Sequence, residues 1–345
     1  MEENRKLYPF GFLPLKDDYY WGSETFLLAD LGYRDTVVSD GWLGGNAISE
    51  IMDMYMDRIV GDNIFANYGR QFPFQVKRIT VKDGATMPLR VHPDDTTAAD
   101  RYDFLGKEKL WYIVKAGKDA CVFLGFKRDT DAGELTERCA DGSVKDILDK
   151  INVKAGDFVT IHPGTVHAAS GEIEIIEISE SSPLDFCICN WGHDENTEEF
   201  DPAFGLIEAM DFIEYGQWKG ADHELPFTVG KLSLHKPMNI TSDQADTCLC
   251  YVAVTGNAAV QTTPDEIPVT VNLKEGNILL IPAETAEFTI GTAASATSKD
   301  AATVLEIRMR PAAATDSYTG EKIPDSRIEE NAGLIPDGIS EEQED

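Results

Sequence analysis

The chain has 345 residues, 42% of them hydrophobic and 26% charged, with a formal net charge of −31. That length exceeds one ordinary core and suits two modest domains, while the excess of acid excludes the basic footprint that nucleic acid or an anionic membrane surface demands. The acidic residues are spread along the chain, as on a solvated surface, and no run approaches the roughly 18–20 apolar residues of a membrane span.

The N-terminus, MEENRKLYPFGFLPL, lacks a basic start followed by an apolar stretch, so no signal peptide is expected and the chain reads as cytoplasmic. Tyr19-Tyr20-Trp21-Gly22 is an aromatic anchoring segment. Ser49, Met52, Tyr55, Met56 and Ile59 recur at helical spacing and predict a helix over about 47–60. Gln75-Val76-Lys77-Arg78-Ile79-Thr80-Val81 alternates as a strand does, and so does Trp111-Tyr112-Ile113-Val114; 119–126 and 172–178 are further short β-rich runs. A second helix is predicted at about 143–151, after the Asp141-Gly142 turn. Gly156-Asp157 opens Phe158-Val159-Thr160-Ile161, and Pro163-Gly164 turns the chain before Val166-His167-Ala168. A third helix, about 202–215, is predicted to start at Asp201-Pro202, an N-cap followed by a first-turn proline. Short strands punctuated by Gly and Pro indicate a mainly β, jelly-roll barrel rather than alternating βα units.

A second all-β block runs from about 225 to 310. Its Gly276-Asn277-Ile278-Leu279-Leu280-Ile281-Pro282 echoes Gly156 to His162, about 120 residues earlier. The echo predicts a degenerate second barrel, and with no histidine after its turn no metal site is expected there. Residues 311–345 are rich in Pro, Gly, Asp and Glu and too poor in apolar side chains to fold alone, so they read as a disordered acidic tail. Six cysteines do not make a disulfide framework in a chain of this size. Cys187 and Cys189, like Cys248 and Cys250, lie two apart in strand-like runs, so each pair faces one way. They are either metal or redox pairs or small hydrophobes packed in a reduced protein; the lack of zinc spacing and of partner histidines favours the latter.

Several segments together resemble the type I phosphomannose isomerases, cupin enzymes that interconvert mannose 6-phosphate and fructose 6-phosphate. Arg90-Val91-His92-Pro93 resembles that family's Gln-x-His-Pro, and Gly106-Lys107-Glu108-Lys109-Leu110-Trp111-Tyr112 its Gly-Lys-x-Glu-x-Trp-Tyr. Gly156-Asp157 with Pro163-Gly164-Thr165-Val166-His167-Ala168 resembles its Gly-Asp…Gly-Thr-x-His-Ala. Trp21-Gly22 and Glu24 fall on an N-terminal Trp-Gly and a Gly-Glu-x-Trp segment, whose Trp is Phe26 here. Glu177 to Trp191 resembles a segment that ends in Tyr-Arg-x-x-Asp-Trp, with Cys187 at the Arg and Asn190 at the Asp. In the family the Gln, the two His and the Glu hold zinc; here His92 and His167 remain, while Arg90 stands at the Gln and Lys109 at the Glu. The resemblance covers about residues 20–192. It implies an N-terminal cupin domain with helical segments over 1–220, a cupin-like β domain over 221–312 and a tail over 313–345.

Aldose–ketose isomerisation moves a proton between C1 and C2 through an enediolate, and it needs a base, a cation or donors at the developing oxyanion, and an anchor for phosphate. The resemblance implies that a sugar or sugar phosphate is the partner. It assigns His92, His167 and Lys109 to the chemistry and Lys107, Arg90 and Glu24 to substrate, with Lys107 meeting the phosphate. His92 and His167 would hold zinc or another divalent metal. On a strand Arg90 and His92 share a side, as do Lys107, Lys109 and Trp111, so Arg90 and Lys109 are expected in the metal cavity. Three arrangements follow. Lys109 swings out and Glu108, Glu177 or His162 (a position usually proline in the family) completes a different metal shell. Alternatively Arg90 and Lys109 replace the metal's charge and bind an anion or hydroxyls directly, or the cavity is inert, its cations paired with acids such as Glu177. The rival to an isomerase is a metal-free sugar-phosphate-binding cupin without turnover.

Overall fold

The alternation at 75–81 places Lys77, Ile79 and Val81 on one face of a strand, Phe74–Val81, and Phe74 and Val76 on the other. Both faces are buried over most of the strand, because its sheet packs on a facing sheet on one side and on the later β block on the other. The strand lies inside a six-stranded antiparallel sheet. Its order is Phe158–Ile161, Lys109–Ala116, Ile173–Glu180, Phe74–Val81, Gly22–Leu28 and Leu15–Tyr19. A five-stranded sheet faces it, in the order Phe186–Cys189, Leu89–Val91, His167–Ser170, Cys121–Phe126 and Leu148–Asn152. Ile79, Ile113 and Ile175 of the first sheet share a core with Leu89, Val91, Val122 and Ala168 of the second. This is the jelly-roll barrel expected from the short, punctuated strands.

The computed structural model describes residues 5–192, 205–220, 224–241, 246–293 and 301–310, all within the unit Met1–Arg310. The β block after 225 forms two more sheets, of six and four strands. The larger takes in the N-terminal strand Phe10–Leu13, which pairs antiparallel with Ile278–Ile281. Leu249, Tyr251, Val260, Leu279, Ile290 and Val304 fill the space between those sheets. The outer face of the first barrel's large sheet (Phe74, Val76, Leu110, Ile176) packs with Cys250, Val252, Leu280 and Ile307 into a shared core. The glycine echo has a backbone cause: Gly156 (φ 95°) and Gly276 (φ 80°) both adopt the left-handed region in the turns that lead into Phe158–Ile161 and Ile278–Ile281.

The helix predicted at 47–60 is two helices, Ile48–Tyr55 and Asp57–Val60, broken at Met56, whose φ is 46°. Ile48, Ile51, Met52 and Tyr55 bury one face. The helix predicted at 143–151 is not there: a 3-10 turn, Val144–Asp146, leads into the strand Leu148–Asn152. Asp141-Gly142 closes a helix instead of opening one. That helix, Ala132–Asp141, starts where Asp131 accepts from the Glu134 N–H and stops at Gly142 in the left-handed conformation. Asp201 and Pro202 lie outside the described residues, and the helix of this region is short, Leu206–Ala209. The tail expected over 313–345 also lies outside the described residues. Among the described residues no helix is long and apolar enough to cross a membrane.

Candidate functional site

Strand register brings the charged side chains together. Lys77 lies opposite Glu177, and Glu177 opposite Trp111, so three neighbouring strands of the large sheet carry one row. Cys187 lies opposite Arg90, and Arg90 opposite His167, which makes a second row on the facing sheet. Between the rows is a network of three carboxylates and three cations. Glu24 accepts from Arg90 Nη1 at 2.6 Å and lies 3.8 Å from Lys77 Nζ. Lys77 pairs with Glu177 at 3.0 Å, and Trp111 Nε1 donates to the other oxygen of Glu177 at 2.8 Å. Lys109 donates to both oxygens of Asp185, at 3.0 and 2.9 Å, with Glu177 at 3.9 Å and Arg90 3.8 Å from the same aspartate.

Burial alone would raise these carboxyls, but the cations overcome it. Arg90 and then Lys77 hold Glu24 below its ordinary value, Lys109 and Lys77 do the same for Glu177, and Lys109, Lys107 and Arg90 for Asp185. The three carboxyls are therefore ionised at neutral pH.

His92 and His167 are fully buried, with ring centroids 5.4 Å apart. Nδ1 of His167 is 2.9 Å from the Thr165 carbonyl oxygen, so it carries the proton and donates. Nε2 is left as an acceptor and receives Lys109 Nζ at 3.4 Å. Burial, reinforced by Lys109, pushes the His167 imidazole down to about 3, and burial lowers that of His92 well below its ordinary value. His162 is elsewhere, hydrogen-bonded to Glu108. The side chain that joins His92 and His167 in one group of possible metal ligands, all within 4.8 Å of one another, is Asp185.

Lys107 is placed by its neighbours in sequence. Asp94 caps the helix Asp95–Tyr102 by accepting from Thr97 N–H at 2.7 Å, as its position after the His92-Pro93 strand end suggests. Asp95 in turn accepts from Gly106 N–H at 2.9 Å. A Cβ on Gly106 would come within 2.4 Å of the Asp94 backbone, so only glycine allows this pass. Lys107 Nζ then reaches the Ser182 carbonyl at 3.0 Å. Burial lowers its ammonium to about 7, with Asp185 opposing the shift.

A cavity of about 490 Å³ opens beside the network. Glu24, Lys77, Arg90, Lys107, Asp185 and Cys187 line it, with the exposed aromatics Tyr33 and Phe104. His92, His167 and Lys109 are not among the lining residues; they lie behind Asp185, each at most 1% exposed. Trp111 is core, at 0% exposure. The cysteines are free thiols, and burial pushes that of Cys187 up to about 12.

A mannose-6-phosphate isomerase from Streptococcus mutans is 31% identical over 146 residues, 42% of this chain and 45% of its own length. The crystal structure of the mannose 6-phosphate isomerase from Bacillus subtilis superposes with a TM-score of 0.71 at 19% identity, over 87% of this chain and 99% of that one. This chain is similar to mannose-6-phosphate isomerases over part of its length, and shares their fold. It spans about half the length of the curated relatives it matches, and no family model matches it. A zinc-bound mannose 6-phosphate isomerase has the same fold, with a TM-score of 0.63 at 11% identity over 88% of this chain and 100% of that one.

Whether a divalent ion fits this site is decided by Lys109. Its ammonium already engages Asp185 and His167 Nε2, two of the three candidate donors. A divalent ion about 4 Å from an ammonium meets a repulsion of about 8 kcal/mol at an effective dielectric of ~20, twice the unit-charge figure. Glu24, Glu177 and Asp185 balance Lys77, Arg90 and Lys109 without a metal. The side chains as they stand do not fit one.

Asp185 is the site residue that sequence reasoning missed, and no motif marks it: it ends the link between Ile173–Glu180 and Phe186–Cys189. Lys77 was also missed, although a lysine on the apolar, inward face of an alternating strand is a signal.

Proposed function

We propose that this chain is a mannose-6-phosphate isomerase-like cupin that acts on a sugar phosphate. The observation that carries the reading is the cavity, into which Glu24, Lys77, Arg90, Lys107 and Asp185 converge in a relative of mannose-6-phosphate isomerases. Lys107 meets the phosphate. Its ammonium hydrogen-bonds to the Ser182 carbonyl rather than to a carboxylate, so phosphate brings it a counter-charge. Arg90, in contact with Glu24 and near Asp185, faces the sugar oxygen that becomes negative in the enediolate. Glu24 and Asp185, ionised on the cavity wall, accept hydroxyl protons, and Asp185 is placed to take the transferred proton. Lys109 and His167 hold Asp185 from behind as positioning residues.

Carboxylates held so far below their ordinary values are weak bases, so turnover is expected to be slow. That same observation favours a second reading, a cupin that binds a sugar phosphate without converting it. A coupled assay of mannose 6-phosphate conversion, with Asp185→Asn as control, separates the two. Turnover above the control supports the isomerase. Saturable binding in a calorimeter with no turnover supports the second reading, and neither binding nor turnover would sink both.

A further inference from the structure

Both ring nitrogens of His92 are buried and have no hydrogen-bond partner among the described residues. Buried polar groups are normally paired, so this imidazole offers a lone pair that nothing takes. Next to it, His167 donates its Nδ1–H to the Thr165 carbonyl, which leaves a second lone pair, on Nε2, aimed at Lys109. Asp185 closes the third side, its oxygens 3.0 and 2.9 Å from the same ammonium. Two neutral imidazoles and one carboxylate with ligand atoms within 4.8 Å of one another make a donor set that suits a divalent transition metal with open positions. The group at its mouth is instead an ammonium on a 1%-exposed lysine.

We propose that Lys109 is a resident cation plugging a metal-type cage of His92, His167 and Asp185, so that the chain takes no metal as it stands and becomes a divalent-metal protein once the lysine's charge is removed. An ammonium offers three donors and one positive charge, which satisfies Asp185 and the His167 lone pair but leaves His92 unpartnered. A metal of two charges would use all three. Burial holds both imidazoles neutral, the form in which they ligate. The cage is thus ready for a metal in everything but the lysine. The inference deepens the isomerase reading, on which its relevance to catalysis rests; its test reads metal and not turnover, so either can fail alone.

The test uses the full chain as wild type, Lys109→Ala, Lys109→Gln and Lys109→Ala/His167→Ala. Each is equilibrated with Co2+ or Zn2+, desalted, and its metal per chain counted, with the visible spectrum of bound Co2+ recorded. The wild type should retain well under one metal per chain. Each single variant should retain about one per chain, with Co2+ bands that the double variant loses. Added Zn2+ should raise the denaturation midpoint of Lys109→Ala and leave the wild type unmoved. One firmly held metal per wild-type chain, lost in His92→Ala, would overturn the proposal, as would folded single variants that take none. A firmly held metal in the wild type refutes the plug whether or not the variants fold, and single variants that fold neither alone nor with Zn2+ present, which would restore the missing charge, overturn the metal-ready cage.

Discussion

Lys109 on one sheet of the first barrel donates to Nε2 of His167 on the facing sheet across 3.4 Å. That contact spans the space between the sheets and requires the Nδ1–H tautomer of His167, because Nδ1 donates to the Thr165 carbonyl.

The tautomer can be observed. In a 15N-labelled sample the His167 ring should show a protonated Nδ1 and a bare Nε2, and no titration from pH 8 down to about 4, since its value is about 3. The ordinary value is 6.5, so the unfolded chain takes up the proton first as pH falls. The contribution is a loss of stability on acidification from 6.5 towards 3, absent at neutral pH. Denaturant titrations at pH 7 and pH 5 should show a smaller drop for His167→Phe than for the wild type; an equal drop would remove His167 from the account.

Lys109→Met keeps the stem and deletes the charge. It leaves Asp185 and Glu177 short of a cation in a buried setting, a change that costs about 3–5 kcal/mol when one partner of a buried pair is removed. Urea unfolding should show this loss, and adding Asp185→Asn should restore part of it. A Lys109→Met protein as stable as the wild type would mean the pair contributes nothing net.

Lys107 titrates where assays are run. Its folded value, about 7, lies below the ordinary 10.5, so between these limits the unfolded chain holds the proton and the folded chain does not. Stability from this group therefore rises with pH from 7 towards 10.5, and Lys107→Met should flatten that rise. A bound phosphate favours the ammonium. Affinity for a sugar phosphate should fall above pH 7, by up to about tenfold per unit for one linked proton. Calorimetry in two buffers of different ionisation enthalpy should show proton uptake, lost in Lys107→Met.

Arg90→Ala should weaken sugar-phosphate binding by about tenfold or more, the equivalent of about 1.4 kcal/mol. Glu24 would keep only Lys77, at 3.8 Å. If titrations show unchanged affinity, the ligand does not use this wall of the cavity.

From the sequence, period-2 runs and Gly-Pro punctuation marked the central strands of the first barrel and the all-β character of the block after 225, few of whose strands they separated, and local motifs singled out His92, Lys107, Lys109 and His167. These are properties of neighbouring residues: alternation, turn chemistry and spacing all act within a few positions. One local reading failed where two answers share one signal, for Asp141-Gly142 suits a helix end as well as a turn before a helix. What the sequence left open was which way Lys109 pointed and what met it there. That answer needed Asp185, 76 positions away, brought to the ammonium by the pairing of Phe186–Cys189 with Leu89–Val91 on the facing sheet. A charge network depends on distances of a few ångströms between side chains from separate strands, and only the closed barrel sets those distances.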